Sequence, residues 1–202
     1  MNAIVGEWTP DSVRMRLTAA AGAAAGDADL NPGMPGPTPL RPAAVLIAFM
    51  QRADGVHILL TRRSDALKAH AGQIAFPGGR IDADDASPEA AALREAEEEV
   101  GLPPARVTIL GRLHDYETRT GFRVAPIVAW ATPPERYAPC PVETAEVFEA
   151  PAATLLDPQR RIIEHYEVAG ARRRFYTIPV GERRVWGATA GMLVQLSDAL
   201  GY

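Results

Sequence analysis

Glu95, Glu98 and Glu99 stand at i, i+3 and i+4 in the run REAEEEVGL. A helix turns once per 3.6 residues, so this spacing puts three carboxylates on one face about a turn long. Like charges that close weaken an isolated helix. A divalent cation removes the conflict: hard ions such as Mg²⁺ or Mn²⁺ take carboxylate oxygens, and Mg²⁺ commonly combines a few carboxylates with substrate phosphates. Arg94 lies three residues before Glu97 and four before Glu98, so it can orient a carboxylate from the same helix. Taken alone, the acidic run reads more readily as a solvated helix face. Its surroundings decide the matter.

The element that must carry these residues is well specified. Ser87 suits an N-cap, Pro88 the first helical position, and Glu89 the positive end of the dipole. Ala90, Ala91 and Ala92 are strong helix formers, and Leu93, Ala96 and Val100 recur as an apolar stripe. Gly101 predicts a left-handed C-cap, and Pro103-Pro104 forbids continuation. Before the helix come Gly78-Gly79 and an acidic loop.

Arg94 to Leu102 resembles the second half of the Nudix box, which reads Arg-Glu-apolar-x-Glu-Glu-x-Gly-apolar, and every fixed position matches. The first half departs from the box. Gly79 lies fifteen residues before Arg94 instead of fourteen, and the slot for a glutamate falls on Ala86. The loop is one residue longer, with Asp84 or Asp85 as the nearest acid.

Upstream, Leu59 to Gly79 reads LLTRRSDALKAHAGQIAFPGG and resembles the signature of the coenzyme A pyrophosphatase branch of that family. Leu59, Leu60, Thr61, Arg63, Ser64, Gly72, Phe76, Pro77, Gly78 and Gly79 fall in register, and Lys68 stands where the signature has arginine. Lysine is a point charge, whereas arginine grips phosphate bidentately. Arg63, Lys68 and His70 thus put cationic or donor groups in a loop that flows into the acidic helix. His70 serves equally as a ligand contact or a loop hydrogen bond. Arg62 reads better as an edge-strand charge.

The remaining chain predicts a mixed α/β (α+β) architecture. A helix is expected over 10–24, then a connector from Asn31 to Pro42 with five prolines. Strands are expected over Ala43–Met50 and Val56–Thr61 around the Asp54-Gly55 turn, then Gln73–Phe76, Val107–Tyr116, Phe122–Trp130 and Glu146–Ala150. A hairpin over Arg161–Val168 and Arg172–Pro179, turning at Ala169-Gly170, precedes a helix over Thr189–Leu200. The resemblance implies the Nudix fold, a mixed β-sheet sandwiched between helices. Residues 1–42 would be an N-terminal helix and connector packing on the core, and 43–202 the Nudix hydrolase domain.

Composition fits such a domain: 202 residues, 47% hydrophobic, 23% charged, with a net charge of −4. No overall basic field recruits nucleic acid, and no run approaches the roughly 18 apolar residues of a membrane span. Cys140 is the single cysteine, which excludes an intramolecular disulfide. No secretion signal is visible at the start of the sequence, so the cytoplasm is expected. His114 and His165 read as structural. Arg172-Arg173-Arg174 reads as a solvated strand end, leaving a homodimer contact open.

What the resemblance implies is metal-dependent hydrolysis of the diphosphate of coenzyme A, or a derivative, to 3′,5′-ADP and 4′-phosphopantetheine. Glu95, Glu98, Glu99 and the Gly79 carbonyl would hold Mg²⁺ or Mn²⁺, with Arg94 locking a glutamate in place. The proton acceptor would be a helix glutamate, or Glu143 or Glu146 from outside the box. The rivals are a diphosphatase for ADP-ribose or NADH, and a Nudix module that senses a nucleotide without cleaving it.

Overall fold

The computed structural model describes residues 8–19, 25–33, 36–67, 70–168 and 171–202. The expected first helix is present as α1 (Pro10–Ala19), and its proposed continuation over 20–24 lies outside the described residues. After a two-residue strand β1 (Ala25–Gly26) come β2 (Arg41–Arg52), β3 (Gly55–Arg63), β4 (Ile74–Ala75) and β5 (Gly78–Arg80). The acidic helix is α2 (Pro88–Val100), followed by β6 (Val107–Arg112), β7 (Tyr116–Glu117) and β8 (Phe122–Ala131). Then come β9 (Thr144–Pro151), α3 (Ala152–Leu155), β10 (Ile162–Val168), β11 (Ala171–Val180), β12 (Arg183–Trp186) and α4 (Ala188–Ala199).

Strand β2 is the centre of the molecule. Its apolar run is unbroken because both faces are covered. Ala44, Leu46, Ala48 and Met50 point to the side of α2, while Ala43, Ile47 and Phe49 point to the opposite core. It runs parallel to β8, from Arg41 opposite Phe122 to Met50 opposite Ala131. Its C-terminal half forms a hairpin with β3 through the Asp54-Gly55 turn, where Gly55 takes φ +130°. Its N-terminal half pairs instead with β5, from Ala43 opposite Arg80 to Val45 opposite Gly78. One edge of β2 is thus shared by two different strands. The box glycines lie where they part.

Strand β9 adds antiparallel to β3, and β6 and β7 add antiparallel to β8, so the sheet is mixed. Helix α2 covers one face with Ala91, Ala92, Ala96 and Val100, whose small side chains let the helix lie close to β2. Leu93 is only partly buried, so the buried stripe is rotated from the one expected. The other face carries α1, α3 and α4 through Val13, Leu17, Leu155, Leu193 and Leu196. A second sheet, β10–β11–β12, contributes Ile178, Val180 and Val185 to that core. The sheet lies between helices, as expected. The strand expected over Val107–Tyr116 is broken into β6 and β7, the short strands β5 and β12 were not foreseen, and the turn at 169–170 lies outside the described residues.

Candidate metal centre and active site

Helix α2 begins and ends where its caps dictate. The Ser87 hydroxyl accepts a 3.2 Å hydrogen bond from the Ala90 amide, and Gly101 takes φ +70° with its amide donating to Glu97 O. This fixes the rotation of the helix and so the face on which each glutamate emerges.

The three glutamates occupy different environments. Glu99 lies under β5 with 6% of its side chain exposed. Its Oε2 accepts from the Gly78 amide at 3.1 Å, and Arg63 Nη1 stands 3.9 Å from its Oε1. Burial pushes its carboxyl up to about 7; Glu95 and Glu143 push the same way, against the Gly78 amide and Arg63. Glu95 is also held above the ordinary carboxylate range, first by burial. Its carboxylate rests against Gly79, where a Cβ would stand 2.5 Å from Oε1. Glu98 is 60% exposed.

Arg94 ties this face together. Its Nη1 donates to Glu95 Oε1 at 3.0 Å and to Glu98 Oε2 at 3.1 Å. On its other edge, Nε and Nη2 donate to Asp85 Oδ1 and Oδ2 at 3.0 and 2.9 Å, and Nη2 also reaches Arg80 O at 3.2 Å. The sequence offered Glu97 or Glu98 as its partner. Glu97 is exposed, and Glu95 and Asp85 are the partners spacing did not name. The signal for Asp85 was the displaced acid of the lengthened loop.

Arg63 enters at the end of β3. Its Nε is buried without a hydrogen-bond partner, and its guanidinium lies beside Glu99. His70, with φ +59°, places Nδ1 2.8 Å from Gln73 Oε1, and its carbonyl accepts from the Gln73 amide. It closes its own loop. Lys68 lies outside the described residues. Glu143 is exposed on the loop before β9, anchored by its carbonyl to the Ser64 amide at 2.8 Å, and its charge acts on both Glu95 and Glu99. Glu146 sits opposite Arg62 on the face away from α2, paired with Arg183 and 4.0 Å from Arg62.

Among the described residues no three His, Cys, Asp or Glu side chains are gathered as a closed ligand set, and Nη1 of Arg94 occupies the space between Glu95 and Glu98. The donor chemistry nevertheless fits a hard divalent ion. All the candidate ligands are oxygens, two of the carboxylates are desolvated with raised affinity for positive charge, and Gly79 keeps the space beside Glu95 free of a side chain. A separate cavity of about 940 Å³ lies near α1 and α4, lined by Arg16, Leu17, Tyr116, Tyr176 and Gln195 among others, and none of the box residues borders it. Among the described residues, no helix is long and apolar enough to cross a membrane.

A mixed sheet between helices, with a glycine-led loop and a Glu-rich helix held by an internal arginine, defines a nucleoside diphosphate hydrolase of the Nudix class. Residues 40–167 match the NUDIX domain family, and the chain belongs to it. It is 42% identical over 161 residues to proteins described as "Uncharacterized Nudix hydrolase NudL" from Escherichia coli K12 and Citrobacter koseri. The match covers 80% of this chain and 83% of each relative. Among solved structures, a MutT/nudix family protein from Enterococcus faecalis superposes with a TM-score of 0.50 at 14% identity, over 95% of this chain and 73% of that one. That likeness concerns the fold alone. The protein is a Nudix pyrophosphohydrolase for small-molecule nucleoside diphosphate derivatives, in a family that generally uses divalent metal ions.

Proposed function

We propose that the protein hydrolyses the diphosphate bond of coenzyme A, or of a derivative of it, to 3′,5′-ADP and 4′-phosphopantetheine. The observation that carries this reading is Arg63. It belongs to the stretch Leu59–Gly79 that resembles the coenzyme A pyrophosphatase signature, and it reaches within 3.9 Å of Glu99 with its Nε unpaired.

Glu95, Glu98, Glu99 and the Gly79 carbonyl are the groups that would hold Mg²⁺ or Mn²⁺. When bound, such an ion neutralises diphosphate oxygens and lowers the pKa of a water. Arg94 fixes the orientation of Glu95 and Glu98, which spares their reordering at each turnover. Arg63, whose side chain is partly exposed, binds phosphate oxygens through the end of its guanidinium, and Lys68 and His70 belong to the same signature stretch of the sequence. A helix glutamate or Glu143 accepts the proton of the attacking water; Glu146, tied to Arg183 and Arg62, takes no part. Hydrolysis places the hydroxyl on one phosphorus and leaves the bridging oxygen on the other.

The test is turnover of coenzyme A, its 3′-dephospho form, ADP-ribose and NADH, each with Mg²⁺, Mn²⁺ or chelator. Coenzyme A should be preferred and chelator should abolish the reaction. A preference for ADP-ribose overturns the substrate, and no metal-dependent cleavage of any compound favours a nucleotide sensor. Arg63→Ala should raise KM at least roughly fivefold while kcat changes little, the signature of lost uniform binding.

A further inference from the structure

The lengthened loop before α2 departs from the box at the position where an acid is expected, yet it delivers an acid to Arg94. Asp85 grips the guanidinium through both oxygens, at 3.0 and 2.9 Å, with 7% of its side chain exposed. The grip is built by the loop itself. The Asp85 amide donates to Asp82 O at 3.1 Å, and the Asp82 amide donates back to Asp85 Oδ2 at 2.8 Å. The extra residue is thereby folded into a turn, which brings a shorter acid to the guanidinium. Asp82 itself lies 3.8 Å from Arg94 and is mostly exposed, and Asp84 is exposed.

The consequence lies on the opposite edge of Arg94. One nitrogen, Nη1, serves both Glu95 and Glu98. A planar guanidinium held at Nε and Nη2 has a fixed plane, so Nη1 is fixed too. Released from Asp85, the side chain would keep only the Arg80 carbonyl as a backbone anchor, and its remaining contacts are to the carboxylates it is meant to orient.

We propose that Asp85 is a positioning residue for the diphosphatase reaction. Through Arg94 it sets where Glu95 and Glu98 stand, and the one-residue insertion and the short acid are a matched pair. This rests on the hydrolase activity of the same site, whichever diphosphate compound proves to be its substrate.

The test uses the full chain and whichever compound of the panel above it cleaves fastest. Asp85→Asn should lower kcat at least roughly tenfold with KM within about twofold, because an interaction aimed at the reacting geometry is lost and not one that binds substrate. Asp85→Glu, which keeps the charge, should recover part of that loss, and Asp84→Asn should leave kcat within about twofold of wild type. In the Arg94→Gln background, Asp85→Asn should add less than about twofold, since residues acting as one unit are not additive. A loss that adds in full, or a kcat for Asp85→Asn within twofold of the parent, overturns the proposal. A readout independent of turnover is the side-chain Nε–H signal of Arg94 in the metal-free protein. Its hydrogen exchange should be slow in the parent and at least tenfold faster in Asp85→Asn; equal rates count against the grip. If the parent cleaves none of the compounds, the hydrolase reading fails, while the exchange measurement still reports on Asp85.

Discussion

Glu99 is the residue at which stability and chemistry oppose each other. Its carboxyl is pushed up from 4.5 to about 7, chiefly by burial. Between those values the folded chain holds a proton that the unfolded chain has released, so stability falls as the pH rises through this range. A shift of that size corresponds to about 3 kcal/mol, fully exacted only above pH 7. In chelator, Glu99→Gln should therefore match the parent near pH 4.5 and become the more stable of the two by pH 8, as read by thermal melts across that range. Catalysis should move the other way, with kcat lower by roughly two orders of magnitude or more, since metal charge stabilisation supplies several kcal/mol. Adding Mn²⁺ at pH 8 should raise the melting temperature of the parent by mass action and that of the variant much less. Equal pH slopes for parent and variant would show that Glu99 is not the strained group.

The two box glycines separate what an element needs from what the site needs. Gly78 is threaded between β2 and α2: with φ +155°, a Cβ there would stand 2.4 Å from Ala44 O and 2.6 Å from Val45 Cα, both backbone atoms. Gly79 is placed differently: the three atoms nearest to a Cβ there all belong to the carboxylate end of Glu95, a movable side chain. Gly78→Ala should therefore cost at least about 2 kcal/mol in a denaturant melt, with the pairing of β5 on β2 displaced. Gly79→Ala should cost under about 1 kcal/mol yet lower kcat at least tenfold by moving Glu95 aside. The reverse ranking would mean that β5 is not what holds the site open. This contrast also shows where sequence reading stops. Helix α2 was legible because Ser87, Pro88 and Gly101 are local signals, and the β2–β3 hairpin because Asp54-Gly55 is one too. Strands β5 and β12 were not, since each is only three or four residues long, too short to show an alternating pattern, and β5 exists only through pairing with β2 far back in the chain. The i, i+3, i+4 spacing put the glutamates on one face, but the burial of Glu99 depends on β5 crossing above it, and spacing carries no record of that. For the same reason Asp85 could be named as a neighbour of the box while its grip on Arg94 could not.

At the scale of the molecule, the sheet divides the protein into two cores with different duties. The core under α2 positions the glutamates. The core on the other face includes α1, where Val13 and Leu17 are buried, and it is closed by Trp8, which stacks on Tyr202 at 5.4 Å and tilts over Phe49 at 5.5 Å. Trp8 and Tyr202 thus meet on the side of the sheet away from the glutamates. Interiors transmit strain when a close-packed side chain is removed, but β2 and β8 lie between Leu17 and the glutamates and pair in unbroken register over ten residues each. Leu17 also borders the cavity near α4, so fewer contacts are lost there than at a fully enclosed leucine. Leu17→Ala should therefore fall at the low end of leucine truncations, about 2 kcal/mol in a denaturant melt followed by tryptophan fluorescence. Turnover under conditions where the variant is folded should stay within about twofold of the parent, because the site draws nothing from that face. A tenfold fall in kcat without unfolding would show the two cores to be mechanically coupled through the sheet, and the division of labour between its faces would have to be abandoned.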